Sequence, residues 1–224
     1  EPDYKLVFFG IENPNVDFRA KDIEEKNGFT SFTVEFYGAS QRVTVPTVGI
    51  HNVYDALAAF AVGYEMRMEP RKIAAGLKSF VPSGMRQRIK KVGGITVIED
   101  CYNASPDSQK AALDVLSSFK SNRRIAVLGD MLELGKYSDV SHENVGKYTE
   151  NKNIDILFTY GAKAKHIAEG AKGFVDEIKS FDDKTELTKA LLETLKDGDA
   201  VLFKASRGMK LEDVINSLYR EWEE

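Results

Sequence analysis

The amino-acid pattern predicts an α/β fold, in which a doubly wound, mostly parallel sheet follows a smaller β-hairpin and helix unit. Three observations carry this expectation. From Ile95 onward, short strands apolar on both faces alternate with amphipathic helical stretches, the pattern of a parallel sheet covered on both sides. Before residue 83 the pattern changes to hairpin-like alternation followed by two helical stretches. Between the two, SGMRQRIKKVGG (Ser83 to Gly94) is short, basic and flanked by glycine, and reads as a linker between domains.

In chain order, residues 5–9 (KLVFF), 31–37 (SFTVEFY) and 42–46 (RVTVP) read as short antiparallel strands with turn residues between them. HNVYDALAAFAVGY (His51 to Tyr64) has apolar residues at helical spacing, and EPRKIAAGLKSF (Glu69 to Phe80) is a second helix with Pro70 in its first turn. The expected domains are therefore 1–83 and 94–224, joined by 84–93. In the second domain the strands ITVIED, RRIAVLGD, IDILFTYG, EIKSF and DAVLFKAS interleave with helices at 106–119, 138–150, 162–171, 184–196 and 210–222.

Composition limits the function. With 224 residues, 42% of them hydrophobic, the chain can bury one large core or two modest ones. A net charge of −4 and the lack of a lysine or arginine cluster argue against nucleic acid as a partner. The single cysteine, Cys101, excludes an intrachain disulfide and a CxxC metal site and suits a reducing cytoplasm. There is no apolar run of membrane-spanning length and no charged-then-apolar leader, so no membrane partner is expected. The opening EPDYKLVFFGIENPNVDF reads as a strand already in progress, as if a longer chain preceded it.

Parallel sheets bind ligands beyond the carboxyl ends of their strands. Four predicted strand ends carry polar groups: Asp100-Cys101-Tyr102-Asn103, Gly129-Asp130-Met131, Tyr160-Gly161 and Lys204-Ala205-Ser206-Arg207. Ser105-Pro106-Asp107 reads as a helix N-cap with proline at the first helical position. Asp100 and Asn103 precede that cap and are not needed for it, which makes them candidate ligand groups. Cys101 points opposite to its neighbours if the strand persists, and reads as core packing rather than a nucleophile. GDMLELGKY imitates a phosphate loop, but five residues separate its glycines where four are needed, and Tyr137 stands where Ser or Thr would be. His142 and His166, on predicted helices, read as satisfied or surface histidines, and no metal-ligand set is predicted.

Four stretches together carry a resemblance: GIHNVYDALAAFAVG, PSGMRQRIKKVGGITVIEDCYNASPDSQKAAL, VLGDMLELG and FKASRGMKLEDVI. In this order and spacing they resemble the Mur ligases, and most nearly the branch that adds D-Ala-D-Ala to UDP-N-acetylmuramoyl-tripeptide in peptidoglycan precursor synthesis. The resemblance covers essentially the whole chain. It implies the end of a central ATP-binding domain followed by a complete Rossmann-like C-terminal domain, in a cytoplasmic, monomeric enzyme. It further implies that ATP phosphorylates the tripeptide carboxylate and that the dipeptide amine attacks the acyl phosphate. ATP and Mg²⁺ would be held mainly by a phosphate loop absent from this sequence, so the chain alone is expected to be inactive as a ligase.

The resemblance also assigns residues. His51 and Asn52 match a pair that lies against adenine; Asp55 stands where the family often has a second asparagine. Arg86 matches an arginine that reaches the nucleotide phosphates, and Arg88 beside it reads as a solvated charge. Asp100 matches a carboxylate that meets the ribose, with Tyr102 and Asn103 lining the same crevice. Lys204, Ser206 and Arg207 match a KGSR turn facing the incoming amino-acid substrate, where three donors would suit a carboxylate. Ala205 replaces the glycine of that turn; if the position needed positive φ, alanine would cost about 1 kcal/mol. Asp130 and Glu133 match GDMxELG and read as a turn and helix start. Two alternatives stay open at this stage: another Mur-type or folylpolyglutamate ligase, and a non-catalytic flavodoxin-like module with the same fold.

Overall fold

The computed structural model of the chain describes residues 5–26, 28–81 and 84–223. It divides into two compact units, residues 1–81 and 82–224, each with its own apolar core.

In the first unit β1 (Phe9–Gly10), β2 (Phe18–Lys26), β3 (Phe29–Phe36) and β4 (Ala39–Val45) form a sheet in that order, followed by α1 (Ile50–Glu65) and α2 (Pro70–Lys78). Alternate residues Phe32, Val34 and Phe36 of β3, with Val43 and Val45 of β4, point to one face, and Val53, Leu57 and Phe60 of α1 close on it. Phe36 sits 5.3 Å from Phe60 and 5.8 Å from Phe18, ring centre to ring centre. Pro70 occupies the first turn of α2, as its missing N–H permits.

Two expectations for this unit are corrected. KLVFF is not a strand: β1 is only Phe9–Gly10, it runs parallel to β2, and Leu6, Phe8 and Phe9 are exposed by 72%, 59% and 41%. The apolar run imitates a buried strand, but its backbone is held by Asp17, whose carboxylate accepts from Phe8 N at 2.8 Å. Strand β2 (FRAKDIEEK) was not expected, because only Phe18 and Ala20 are buried and the register shifts between Lys21 and Glu24, where Asp22 takes φ 51°. Its remaining charged residues hide the alternation.

The second unit is built from β5 (Arg88–Val92), β6 (Ile95–Glu99), α3 (Pro106–Ser118), β7 (Arg124–Gly129), α4 (Ser138–Lys147), β8 (Ile156–Tyr160), α5 (Lys165–Gly170), β9 (Glu177–Phe181), α6 (Lys184–Thr194), β10 (Ala200–Lys204) and α7 (Glu212–Glu223). The sheet order is β5-β6-β10-β7-β8-β9, parallel throughout except for β5. This is the doubly wound, mostly parallel α/β sheet that the pattern predicts. Val97, Val127, Phe158, Val201 and Phe203 face Leu187 and Leu191 of α6, Leu211 just before α7, and Ile215 and Leu218 of α7. Helices α3, α4 and α5, packed in sequence on one another, cover the opposite face.

Helices α4 and α5 approach backbone to backbone. A Cβ on Gly146 would stand 2.1 Å from the carbonyl oxygen of Ile167, and one on Gly170 would stand 2.1 Å from that of Glu143. Only glycine fits at this crossing.

The segment read as a linker holds a strand. Residues Arg88–Val92 form β5, which pairs antiparallel with β6 through the two-residue turn Gly93-Gly94, both at positive φ. Its basic residues obscured it, yet lysines are what a sheet edge tolerates: Lys90 Nζ lies 3.1 Å from Glu99 Oε1.

Candidate functional site

Chain direction places the site. After β6 the chain passes to α3 on one face of the sheet, and after the adjacent β10 it passes to α7 on the other. The carboxyl ends of β6 and β10 therefore flank a crevice of the kind where ligands sit in open α/β sheets.

Lys204 ends β10 with its side chain only 3% exposed. Its ammonium donates to Asp100 Oδ2 at 2.7 Å, to the Asn103 carbonyl at 3.0 Å and to the Asp100 carbonyl at 3.3 Å. All three protons thus have acceptors inside the protein. The other oxygen of Asp100 accepts from Gln87 N at 3.3 Å, so this carboxylate joins three segments. Asn103 is exposed, and its side-chain oxygen accepts from Ala104 N at 2.9 Å. Ser105 caps α3 in a capping box with Ser108, as the sequence predicts for the start of this helix.

Tyr102 projects beyond β6 with 40% of its surface exposed. The Arg86 guanidinium carbon lies 4.1 Å from its ring centre, and that of Arg207 lies 5.5 Å away. Tyr102 N donates to the Met85 carbonyl at 3.1 Å, which fixes the segment bearing Arg86 beside the ring. Arg207 opens a short 3₁₀ turn, and its side chain is 62% exposed, 3.5 Å from Glu212 Oε1.

Ser206 is buried: its hydroxyl accepts from Leu132 N at 2.9 Å, and its own N–H donates to the Asp130 carbonyl at 3.1 Å. Of the KASR turn, only Arg207 is presented to solvent. Ala205 has no positive φ and is fully buried, so alanine is unstrained there. Its methyl fills the space over Gly129, where an added Cβ would be 2.7 Å from it.

The GDMLELG turn holds strand ends together. Asp130 Oδ1 accepts from Lys163 N at 3.0 Å and Ala164 N at 2.6 Å, capping the turn that leads into α5. Gln109 donates to the Gly129 carbonyl at 2.9 Å. His142 is fully buried; its Nε2 accepts from Met131 N at 2.9 Å, and its Nδ1 donates to the Ser138 carbonyl at 2.7 Å. These bonds require the neutral ring, and burial lowers its pKa from 6.5. His166 is half-buried beside Glu169 and Asp139.

Behind the crevice, Cys101 is fully buried, and burial together with Glu212, Glu99 and Asp100 pushes its thiol up to about 12. A thiol so protonated is no nucleophile. Glu99, also fully buried, accepts from the Tyr219 hydroxyl and lies near Lys90 and, at 4.0 Å, Arg88. Arg88 therefore faces a buried carboxylate instead of being merely solvated. Sequence reasoning missed Glu99, although a charge closing an apolar strand was a signal. It also missed Gln87, whose backbone N–H tethers Asp100 and which takes φ 48°.

His51 and Asn52 belong to the first unit. They lie in the opening turn of α1, where Asn52 Nδ2 donates to the Val48 carbonyl at 2.8 Å and meets His51 Nε2 at 3.0 Å. No side chain caps this helix, whose N-cap is Gly49 at φ 103°. His51 and Asp55 are exposed.

Fold and site together define an α/β protein that gathers cationic and polar side chains at the carboxyl ends of adjacent parallel strands. Residues 85–207 match the family model described as Mur ligase, glutamate ligase domain, and residues 1–63 match the Mur ligase middle domain. The chain belongs to the Mur ligase family. It is 39% identical over 206 residues to the UDP-N-acetylmuramoyl-tripeptide--D-alanyl-D-alanine ligase of Bacillus subtilis, covering 90% of this chain and 45% of that protein. The enzyme of the same name from Escherichia coli is 33% identical, over 96% of this chain and 47% of its own. A crystal structure of MurF from Acinetobacter baumannii superposes with a TM-score of 0.84 at 27% identity, covering 96% of this chain and 46% of that one. MurF ligase from Thermotoga maritima, in complex with ADP, gives 0.82 at 26% identity over 97% and 49%. The chain spans about half the length of the curated relatives it matches. Among the described residues no helix is long and apolar enough to cross a membrane.

Proposed function

We propose that this chain serves an ATP-dependent amide ligase that joins D-Ala-D-Ala to UDP-N-acetylmuramoyl-tripeptide, a cytoplasmic step of peptidoglycan precursor synthesis, in a monomeric enzyme. The observation that carries the reading is the placement of Arg86, Tyr102 and Arg207 together at the ends of β6 and β10, in a chain 39% identical to an enzyme named for that reaction.

The residues fit a nucleotide and a carboxylate. Exposed guanidiniums offer forked N–H donors to phosphoryl or carboxylate oxygens. Asp100, tethered by Lys204 and Gln87 and 20% exposed, is oriented to accept from a ribose hydroxyl. Asn52, its amide held by the Val48 carbonyl and His51 Nε2, stands with His51 where the family sets a pair against adenine. Arg207 and Asn103 would meet the incoming substrate, while Lys204 and Ser206 shape the turn that presents them. ATP supplies the phosphoryl group that activates the tripeptide carboxylate. Mg²⁺ would accompany the phosphates of ATP.

The test is ADP release by a ligase of family length that carries this chain. Release that requires both D-Ala-D-Ala and the UDP-linked tripeptide is expected. Release with a single amino acid in place of the dipeptide would indicate a different Mur-type ligase, and no turnover with any acceptor would indicate a binding module.

A further inference from the structure

We propose that Tyr102 is a positioning residue whose ring holds both Arg86 and Arg207, making the two guanidiniums one site for a substrate oxyanion. The inference rests on the ligase reading and deepens it, because it names a shared subsite and the residue that builds it. The three side chains come from separate parts of the unit: the segment before β5, the end of β6, and the turn after β10. Each guanidinium carbon lies within 6 Å of the ring centre, at 4.1 and 5.5 Å, the range in which an aromatic face attracts a cation.

Two like charges gathered on one ring repel each other, so the arrangement must be held by something else. The backbone supplies part of it. Tyr102 N bonds the Met85 carbonyl at 3.1 Å and Gln87 N bonds Asp100 Oδ1 at 3.3 Å, which brackets Arg86 between two tethers. Gln87 at φ 48° and Lys210 at φ 48° place a non-glycine residue in the left-handed region beside each arginine's turn. Strain of this kind persists where the surroundings hold a geometry for use.

Charge accounting points to an anion as the missing element. Lys204 is neutralised by Asp100, whereas Arg207 has only Glu212 at 3.5 Å and Arg86 has no ion pair among the described residues. The mouth of the crevice thus keeps positive charge open to solvent. Paired planar forks suit an oxyanion that can accept from both, which describes either a carboxylate or a phosphoryl group. The carboxylate of the incoming dipeptide and the nucleotide phosphates are the two sources.

The experiment observes the side-chain Nε–H signals of Arg86 and Arg207 by nitrogen-edited NMR in the 224-residue chain, titrated with inorganic pyrophosphate and, separately, with D-Ala-D-Ala. Both signals are expected to move along one binding curve. Pyrophosphate moving them assigns the site to phosphoryl oxygens; D-Ala-D-Ala moving them assigns it to the carboxylate. Tyr102→Leu should weaken that binding by about tenfold and separate the two curves, whereas Tyr102→Phe should keep both affinity and coupling. Independent movement of the two arginines, no movement with either probe, or wild-type affinity in Tyr102→Leu would overturn the proposal. Ligation by the family-length enzyme is scored separately. Its absence in the wild type removes the functional reading while the NMR result still decides the pairing. Normal ligation with unchanged KM values in Tyr102→Leu removes the pairing alone.

Discussion

The ammonium of Lys204 lies 2.7 Å from Asp100 Oδ2, a part-buried ion pair between residues 104 positions apart in the chain. It links the carboxyl ends of β6 and β10 and orients the loop that carries Tyr102 and Asn103.

Breaking this pair from one side should be costly. Lys204→Met leaves the Asp100 carboxylate without its cation, and a loss of up to about 3 kcal/mol is expected, below the full cost of a wholly buried pair because Asp100 keeps some access to water. Replacing both residues with apolar ones should recover much of that loss. Denaturant unfolding of the two single variants and the double variant measures it; additive losses would show that the pair contributes no coupling.

Arg86 sits on an exposed ring face and contributes little to folding. In a ligase of family length, Arg86→Ala should lower kcat by roughly 10²-fold or more while leaving the melting temperature within a degree or two. Near-normal turnover would make Arg86 a solvated charge and nothing more.

His142 predicts a pH dependence. Burial lowers its folded pKa below the 6.5 of a free imidazole, so the unfolded chain takes up a proton that the folded one resists. Its contribution is therefore fully present above pH 6.5 and is lost as pH falls below that value, at up to about 1.4 kcal/mol per pH unit. His142→Asn should flatten this part of the stability profile. An unchanged slope would mean that other groups dominate.

Gly129 and Ala205 should behave as a compensating pair. Gly129→Ala drives two methyl groups together and should cost about 1–3 kcal/mol. Ala205→Gly in the same chain should restore most of it. Thermal unfolding of the two single variants and the pair checks this, and failure to restore would place the strain elsewhere.

The sheet of the second unit was legible because parallel strands buried on both faces, such as IAVL and ILF, read as apolar runs with no competing pattern. Strands β2 and β5 were not, since charged residues on an open face erase the alternation. The residues of the candidate site were legible only as strand-end polar groups. That Lys204 turns inward to Asp100, and that Arg86 and Arg207 meet on Tyr102, depends on partners distant in the chain. Local pattern carries no trace of such pairing, so the resemblance could name the KASR turn without revealing which of its donors is already taken.

The glycine crossing of α4 and α5 has a dynamic consequence. Helix α5 is only six residues long, too short to persist in water by its own hydrogen bonding. Its amide protons should nevertheless resist exchange with deuterium about as long as those of α4, because opening either helix means parting the backbones that meet at Gly146 and Gly170. The two helices would then open to solvent as a single cooperative unit, taking with them the turn that Asp130 caps.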